Sequence, residues 1–225
     1  MAASVSRLLQ LASPALPVGA YSYSQGLEWA IDSRDVTDTN GALRWIEDHL
    51  ALVMARFEAP LYAATFAAWQ REDASEVLRL NAEFIASRES AEPRAETLQV
   101  GFSYRAWCRE VAPLSDFLRT TLAAMDRVCG PVAASLAALA SGLTVQDGVT
   151  AYVFGFAENQ VMVLAKALPM GQIAAQKLLF ALGAAITDAV DTALAIDEAD
   201  WSSAAPWLAI AQMKHETQYS RLFRS

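Results

Sequence analysis

Two cysteines and two histidines are all that this 225-residue chain offers a soft metal or a disulfide. Cys108 and Cys129 stand far apart and in no C-x-x-C pattern. That spacing argues against a secreted disulfide framework and fits a reduced, cytoplasmic setting. His215-Glu216 begins like the H-E-x-x-H helix of a zinc protease, but Tyr219 stands where the second imidazole belongs. A tight all-protein metal site is therefore not expected, and neither is a resident cofactor. No G-x-x-x-x-G-K-[ST] occurs, which argues against GTP binding through a phosphate loop, and no G-x-G-x-x-G marks a dinucleotide site. Basic residues are sparse: 17 Lys and Arg against 25 Asp and Glu leave a net charge of −8. With no dense basic stripe, nucleic acid is not expected as a partner. Arg7 and Gln10 interrupt the first apolar run too early for a signal peptide. The longest uncharged stretch, residues 128–146, holds Gly130, Pro131, Gly142 and Thr144. It reads as a buried helix rather than a bilayer span, and no membrane association is expected.

What is abundant is apolar residues, 54% of the chain, with alanine prominent. Alanine is the strongest helix former, and no regular strand alternation appears. Leu43, Ile46, Leu50, Val53 and Phe57 recur at steps of three and four, which places them on one helical face. The same spacing recurs at Val77, Leu80, Phe84 and Ile85, and from Leu178 through Leu194. Pro60, Pro93, Pro113, Gly130-Pro131 and Pro206 read as helix starts or breaks. A long apolar helix is expected over residues 144–168, interrupted by Glu158-Asn159-Gln160. His49 falls on a surface or boundary position of its helix. The expected fold is all-α: one domain over residues 1–225, a bundle of roughly nine to eleven helices, with an adhesive tail at 214–225.

The linker after the first apolar run is unusual. Pro14, Pro17, Gly19, Tyr21, Tyr23 and Gly26 fall close together, so the backbone path is tightly specified. Loops so specified tend to carry function. Tyr21-Ser22-Tyr23-Ser24-Gln25-Gly26 is a near miss to the nucleophile elbow G-x-S-x-G, but a helix precedes it where a strand is required. Ser22 or Ser24 is expected to cap the next helix rather than act as a nucleophile. At the other end, His215-Glu216-Thr217-Gln218-Tyr219-Ser220-Arg221-Leu222-Phe223-Arg224-Ser225 is apolar and basic where ordinary tails are polar. It reads either as an adhesive surface or as a last turn docking on its own core. Arg221 is expected to bond carbonyls of the Pro17–Ala20 turn, so that tail and loop act as one unit.

Residues 11–29 and 215–225, together with Lys166-Ala167-Leu168-Pro169-Met170-Gly171-Gln172, closely resemble the UreF family of urease accessory proteins. The middle block is similar to that family's Lys-x-x-Pro-x-Gly-Gln segment. Ala20 departs from the family, which commonly has a second glycine there. Residues 35–145 add only helical character.

The resemblance implies a non-catalytic, dimeric adaptor. Such a protein bridges the UreD/UreH accessory protein to the GTPase UreG during nickel delivery to apo-urease. It points to Pro17, Gly19, Tyr21 and Ser24 in the loop as partner-binding residues. It adds Lys166, Pro169 and Gly171 in the middle block, and Tyr219, Arg221, Leu222 and Phe223 in the tail. Two readings of Lys166 stay open: a cation favoured at a helix C-terminus, or charge presented to a partner. Glu158-Asn159-Gln160 is either a satisfied polar network or one wall of a transient metal path. Two rival functions are an activator that lends the GTPase Arg221 or Arg224 as an arginine finger, and a serine hydrolase using Ser22 or Ser24.

Overall fold

Asp38 accepts from the Gly41 amide at 2.7 Å and so caps a helix that does not stop where its proline suggests. The computed structural model describes residues 2–225, with side chains from Ser4 onward. In it the helix runs unbroken from Thr39 to Gln70 (α3). Leu50–Glu58 within it is wound as a π-helix. Pro60 stands in the first turn of the α-helical segment Ala59–Gln70, as expected, but that segment continues α3 instead of forming a separate helix. The wide π turns precede Pro60, and the strict α ladder with which a proline ring would clash is absent there. The π segment carries Val53, Met54, Ala55 and Phe57 inward.

Eleven helices account for the described residues when α3 is counted as one, and no strand occurs among them. Before α3 come α1 (Ala2–Ala12) and the short α2 (Leu27–Asp32). After it come α4 (Ala74–Ala86), α5 (Ala91–Val111), α6 (Asp116–Ala124), α7 (Gly130–Ala140) and α8 (Val145–Ala167). Then follow α9 (Gln172–Ala181), α10 (Gly183–Ala195) and α11 (Pro206–His215). Three of these starts are capped by a side chain. Asp73 accepts from Glu76, Ser115 from Leu118 and Thr144 from Asp147, each through a backbone amide. The apolar stripe after Gly171 is not one helix: α9 and α10 meet at a 41° bend.

Two apolar clusters form the interior. One joins α2, α3, α8, α9 and α10; the other joins α3, α4, α5, α6 and α7. Helix α7 is buried along most of its length, from Gly130 to Ala138. Among the described residues, α3 is the one single helix long and apolar enough to cross a membrane, and 67% of its apolar window is buried inside the protein. The chain termini enter this interior directly. Leu16 and Val18 of the first loop belong to the second cluster, and Phe223 of the tail belongs to the first.

Candidate functional site

The loop between α1 and α2 is held from three sides. Gly19 adopts φ +74°, a left-handed conformation that glycine reaches without steric cost, and a short 3₁₀ turn follows at Ala20–Ser22. Ala20 is not in that region, so alanine in place of a second glycine carries no such penalty. Gly26 has φ +83°, and a Cβ there would meet Ala211 Cβ and the Gln212 amide at 3.1 Å. Loop and α11 are thus pressed together. From α8, Asn159 Nδ2 donates to the Tyr23 carbonyl at 3.0 Å and Gln160 Nε2 to the Ser24 carbonyl at 3.4 Å. The Tyr21 hydroxyl donates to Glu158 at 3.0 Å. The Glu158-Asn159-Gln160 group therefore does not interrupt α8; it is the helix's handle on the loop.

The third side is the tail. The Ser24 amide, the Gln25 amide (3.2 Å) and the Ser24 hydroxyl all donate to the main-chain oxygen of Ser225. The Arg224 amide donates to the Ser22 carbonyl at 2.8 Å. Loop and tail thus form a unit, though by other contacts than the sequence suggests. Arg221 does not reach the Pro17–Ala20 carbonyls. Its guanidinium lies 2.5 Å from Glu92 at the start of α5, whose charge outcompetes a neutral carbonyl. Neither Ser22 nor Ser24 caps α2: Gly26 occupies the cap position without a side-chain bond. Ser24 is fully buried, and its hydroxyl is spent on Ser225. That arrangement lacks the base a nucleophile needs.

Of the residues singled out from sequence, Pro17, Gly19, Lys166, Pro169 and Gly171 are exposed and Tyr21 is half-buried. Tyr219 and Leu222 are strongly exposed, at 105% and 70%. Phe223 is buried, with Lys166 Nζ 5.3 Å from its ring centre, so the end of α8 also touches the tail. Pro169 and Gly171 sit in the exposed turn between α8 and α9.

Several organising residues went unnoticed in the sequence. Glu28 on α2, and Glu92 and Glu96 on α5, are buried or nearly so and all face the tail. Glu96 accepts from Gln25 at 2.6 Å and from the Ser225 hydroxyl at 2.8 Å. Burial outweighs those bonds and pushes its carboxyl up to about 7. The one legible signal was the i, i+4 spacing of Glu92 and Glu96, which puts two acids on one face opposite a basic tail.

Beneath the loop lies a cavity of about 160 Å³. Glu58 and Arg88 pair across 2.6 Å in its wall, and the Tyr152 hydroxyl bonds Glu58 at 3.2 Å. His49, expected near the surface, is buried in the same wall with its ring 4.5 Å from Phe156. It lies at the edge of its helical stripe, and α8 covers that edge. Burial lowers its imidazole to about 4, so it is neutral at physiological pH. Burial also pushes the Cys108 and Cys129 thiols up to about 12, which leaves them inert. Among the described residues no three His, Cys, Asp or Glu side chains are arranged to hold a metal ion.

Residues 36–183 match the profile of the family UreF. The chain is 51% identical over 224 residues to the urease accessory protein UreF of Azoarcus sp. (strain BH72), covering 97% of this chain and 94% of that one. The chain belongs to the UreF family of urease accessory proteins. The UreF of Dechloromonas aromatica (strain RCB) is 48% identical, covering 98% and 97%. That of Ralstonia pickettii (strain 12J) is 47% identical, covering 100% and 99%. The profile covers the helical middle, including the Lys166–Gln172 block. The UreF-like loop and tail lie outside it, and the full-length relatives span both.

Proposed function

We propose that this protein is a non-catalytic adaptor of urease maturation. It acts in the cytoplasm as a homodimer and bridges UreD/UreH to the GTPase UreG, so that nickel can be inserted into apo-urease. The observation that supports this most is the fusion of loop and tail. Residues from opposite ends of the chain fix one another's backbone, and Tyr219 and Leu222 are held outward on that fixed frame. Large apolar side chains held rigidly in solvent cost little further entropy on binding and suit a partner's pocket.

Replacing Tyr219 and Leu222 together by alanine should leave helix content and thermal stability unchanged. Both side chains are exposed and neither fills the core. Co-purification with UreD/UreH should fall at least about tenfold, the loss of one or two anchors at about 1–2 kcal/mol each. Retention of full assembly and urease activation would remove the tail from the interface.

Lys166 is the proposed contact for the GTPase. Lys166→Ala removes an exposed charge and a long cation–π contact to Phe223, together about 1 kcal/mol or less. Pull-down of UreG should weaken while the melting temperature barely moves. Normal pull-down, or a large drop in stability, counts against the assignment. Arg221 is ion-paired with Glu92, whereas Arg224 is exposed and its side chain bonded only to the neutral Tyr23 hydroxyl, so the arginine-finger alternative is tested at Arg224. Single-turnover GTP hydrolysis by UreG, with and without Arg224→Ala, separates adaptor from activator.

A further inference from the structure

The cavity beneath the loop is kept open at a cost to the helices that wall it. Gly155 lies in the middle of the 23-residue helix α8, where glycine is less favourable than alanine. It lines the cavity together with Tyr152, Phe156 and Asn159 of the same helical face, and nothing lies within 4 Å of where its Cβ would stand. A second wall is the π-helical stretch of α3, with His49 at its start and Glu58 at its end. Turns of that kind are rare and recur at functional sites. Two buried polar atoms of the lining have no partner among the described residues: Nδ1 of His49, which is 2% exposed, and Oδ1 of Asn159, which is 4% exposed. Buried polar atoms in folded proteins are nearly always paired.

The lining has acceptors to spare and few donors. Asn159 spends its Nδ2 on the Tyr23 carbonyl, so its unpaired atom is an acceptor. Neutral His49 has one ring nitrogen that accepts. One Glu58 oxygen accepts from Arg88 and the other from Tyr152, and each keeps a lone pair. Arg88 directs its donors to Glu58 and the Ser87 hydroxyl, with its guanidinium 4.2 Å from the Phe84 ring centre. The charges lean the same way: Glu58, Glu89 and Glu96 line the cavity against Arg88. Glu89 is exposed in the turn between α4 and α5, so the cavity meets solvent beside a negative charge, which favours entry of a cation. Much of the remaining lining is apolar or aromatic, including Met54 and Phe156, and aromatic faces attract organic cations. A metal ion matches less well, because no three His, Cys, Asp or Glu side chains among the described residues are arranged to hold one.

We propose that this cavity is a binding site for a small organic ammonium ion. The ammonium group donates to Asn159 and His49 in the field of Glu58 and Glu96, the carbon chain lies against Met54 and Phe156, and Gly155 leaves the room. A cavity of about 150 Å³ holds benzene, so the guest has about six non-hydrogen atoms. Because Asn159 also holds the Tyr23 carbonyl, the guest steadies the loop from below. The site is a property of the isolated chain and does not rest on the adaptor reading.

The test titrates the full chain with n-pentylammonium chloride at a single pH of about 8, where an alkylamine is charged. Sodium pentanoate, of similar size and opposite charge, and neutral 1-pentanol are the controls, all at constant ionic strength. NMR follows the Asn159 side-chain amide and the Gly155 backbone amide. Pentylammonium should shift both signals to saturation, at least about tenfold more tightly than pentanol, since hydrogen bonds from a charged donor are the stronger ones. Pentanoate should leave them in place. Gly155→Leu, which fills the cavity from α8, should abolish the saturable shift with helix content unchanged. The proposal is overturned if neither signal saturates, as for a cavity that holds only water, or if pentanoate or pentanol binds as tightly. Undiminished binding in a folded Gly155→Leu also overturns it. The comparison of the wild-type titrations decides the matter even where the variant does not fold.

Discussion

Gly101→Ala should be among the most destabilising single substitutions in this protein. A Cβ at this position in α5 would lie 2.0 Å from the Val128 carbonyl oxygen, 2.7 Å from its carbon and 2.8 Å from the Cys129 carbonyl carbon. All three obstacles are backbone atoms, so no rotamer change relieves the overlap. Either α5 must move away from the start of α7 or the 128–129 turn must shift. The turn is pinned: Asn81 accepts from the Cys129 amide at 2.9 Å and donates to the Arg127 carbonyl at 2.9 Å, and Thr97 accepts from the Gly130 amide at 2.9 Å. Overpacking a core costs about 1–3 kcal/mol where side chains can yield. With backbone on both sides, the loss should be about 3 kcal/mol or more.

Gly155→Ala is the matched control. Nothing lies within 4 Å of a Cβ there, in the middle of α8, so alanine should gain up to about 1 kcal/mol of helix propensity. Urea unfolding midpoints of the two variants should therefore move in opposite directions. Similar midpoints would mean that the α5–α7 contact is softer than its geometry indicates. Because α5 also carries Glu92 and Glu96, displacing it should loosen the tail, and exchange of the Leu222 and Phe223 amides would reveal that.

Much of the architecture was legible because apolar residues at helical spacing have only one economical arrangement. The stripe from Leu43 to Phe57 and the starts at Pro93, Pro131 and Pro206 all lie where the pattern puts them. The failures have a common cause. A 3.6-residue projection finds the buried face but does not show that the backbone passes through π turns into Pro60 as one helix. Nor does periodicity register a helix arriving from the far side, which is why His49 was misplaced. The loop and tail stood out through Pro, Gly and aromatic content alone. Their joint was not legible: sequence shows that Arg221 wants an acceptor, but not that Glu92, distant in the chain, is nearer than any loop carbonyl. Beyond the i, i+4 spacing of Glu92 and Glu96, nothing in the sequence ties Glu28, Glu92 and Glu96 together. Only the fold shows that they share one face with His215.

Two buried titrations of opposite sign should nearly cancel in the wild-type protein and appear only when one is removed. Glu96 is raised from 4.5 to about 7 by burial, and His49 is lowered from 6.5 to about 4 by burial. For Glu96, the native state keeps a proton that the unfolded chain has lost between pH 4.5 and about 7. Stability therefore falls as pH rises through that window, by about 1.4 kcal/mol per unit and about 3 kcal/mol in all. For His49, the unfolded chain binds a proton that the native state refuses between pH 6.5 and about 4. Stability therefore falls as pH drops through that window, by a similar total. Between about pH 4.5 and 6.5 the two slopes oppose each other. His49→Gln should expose the Glu96 slope, making the protein progressively less stable from pH 4.5 to 7 than its own acid-side value. Glu96→Gln should expose the His49 slope, with stability falling from pH 6.5 towards 4. Any constant cost of either substitution shifts the whole curve but not its slope, and other groups contribute equally to all three proteins. Urea unfolding at closely spaced pH values compares the slopes directly. If both variants kept the wild-type slope, neither burial would govern its group in the folded protein.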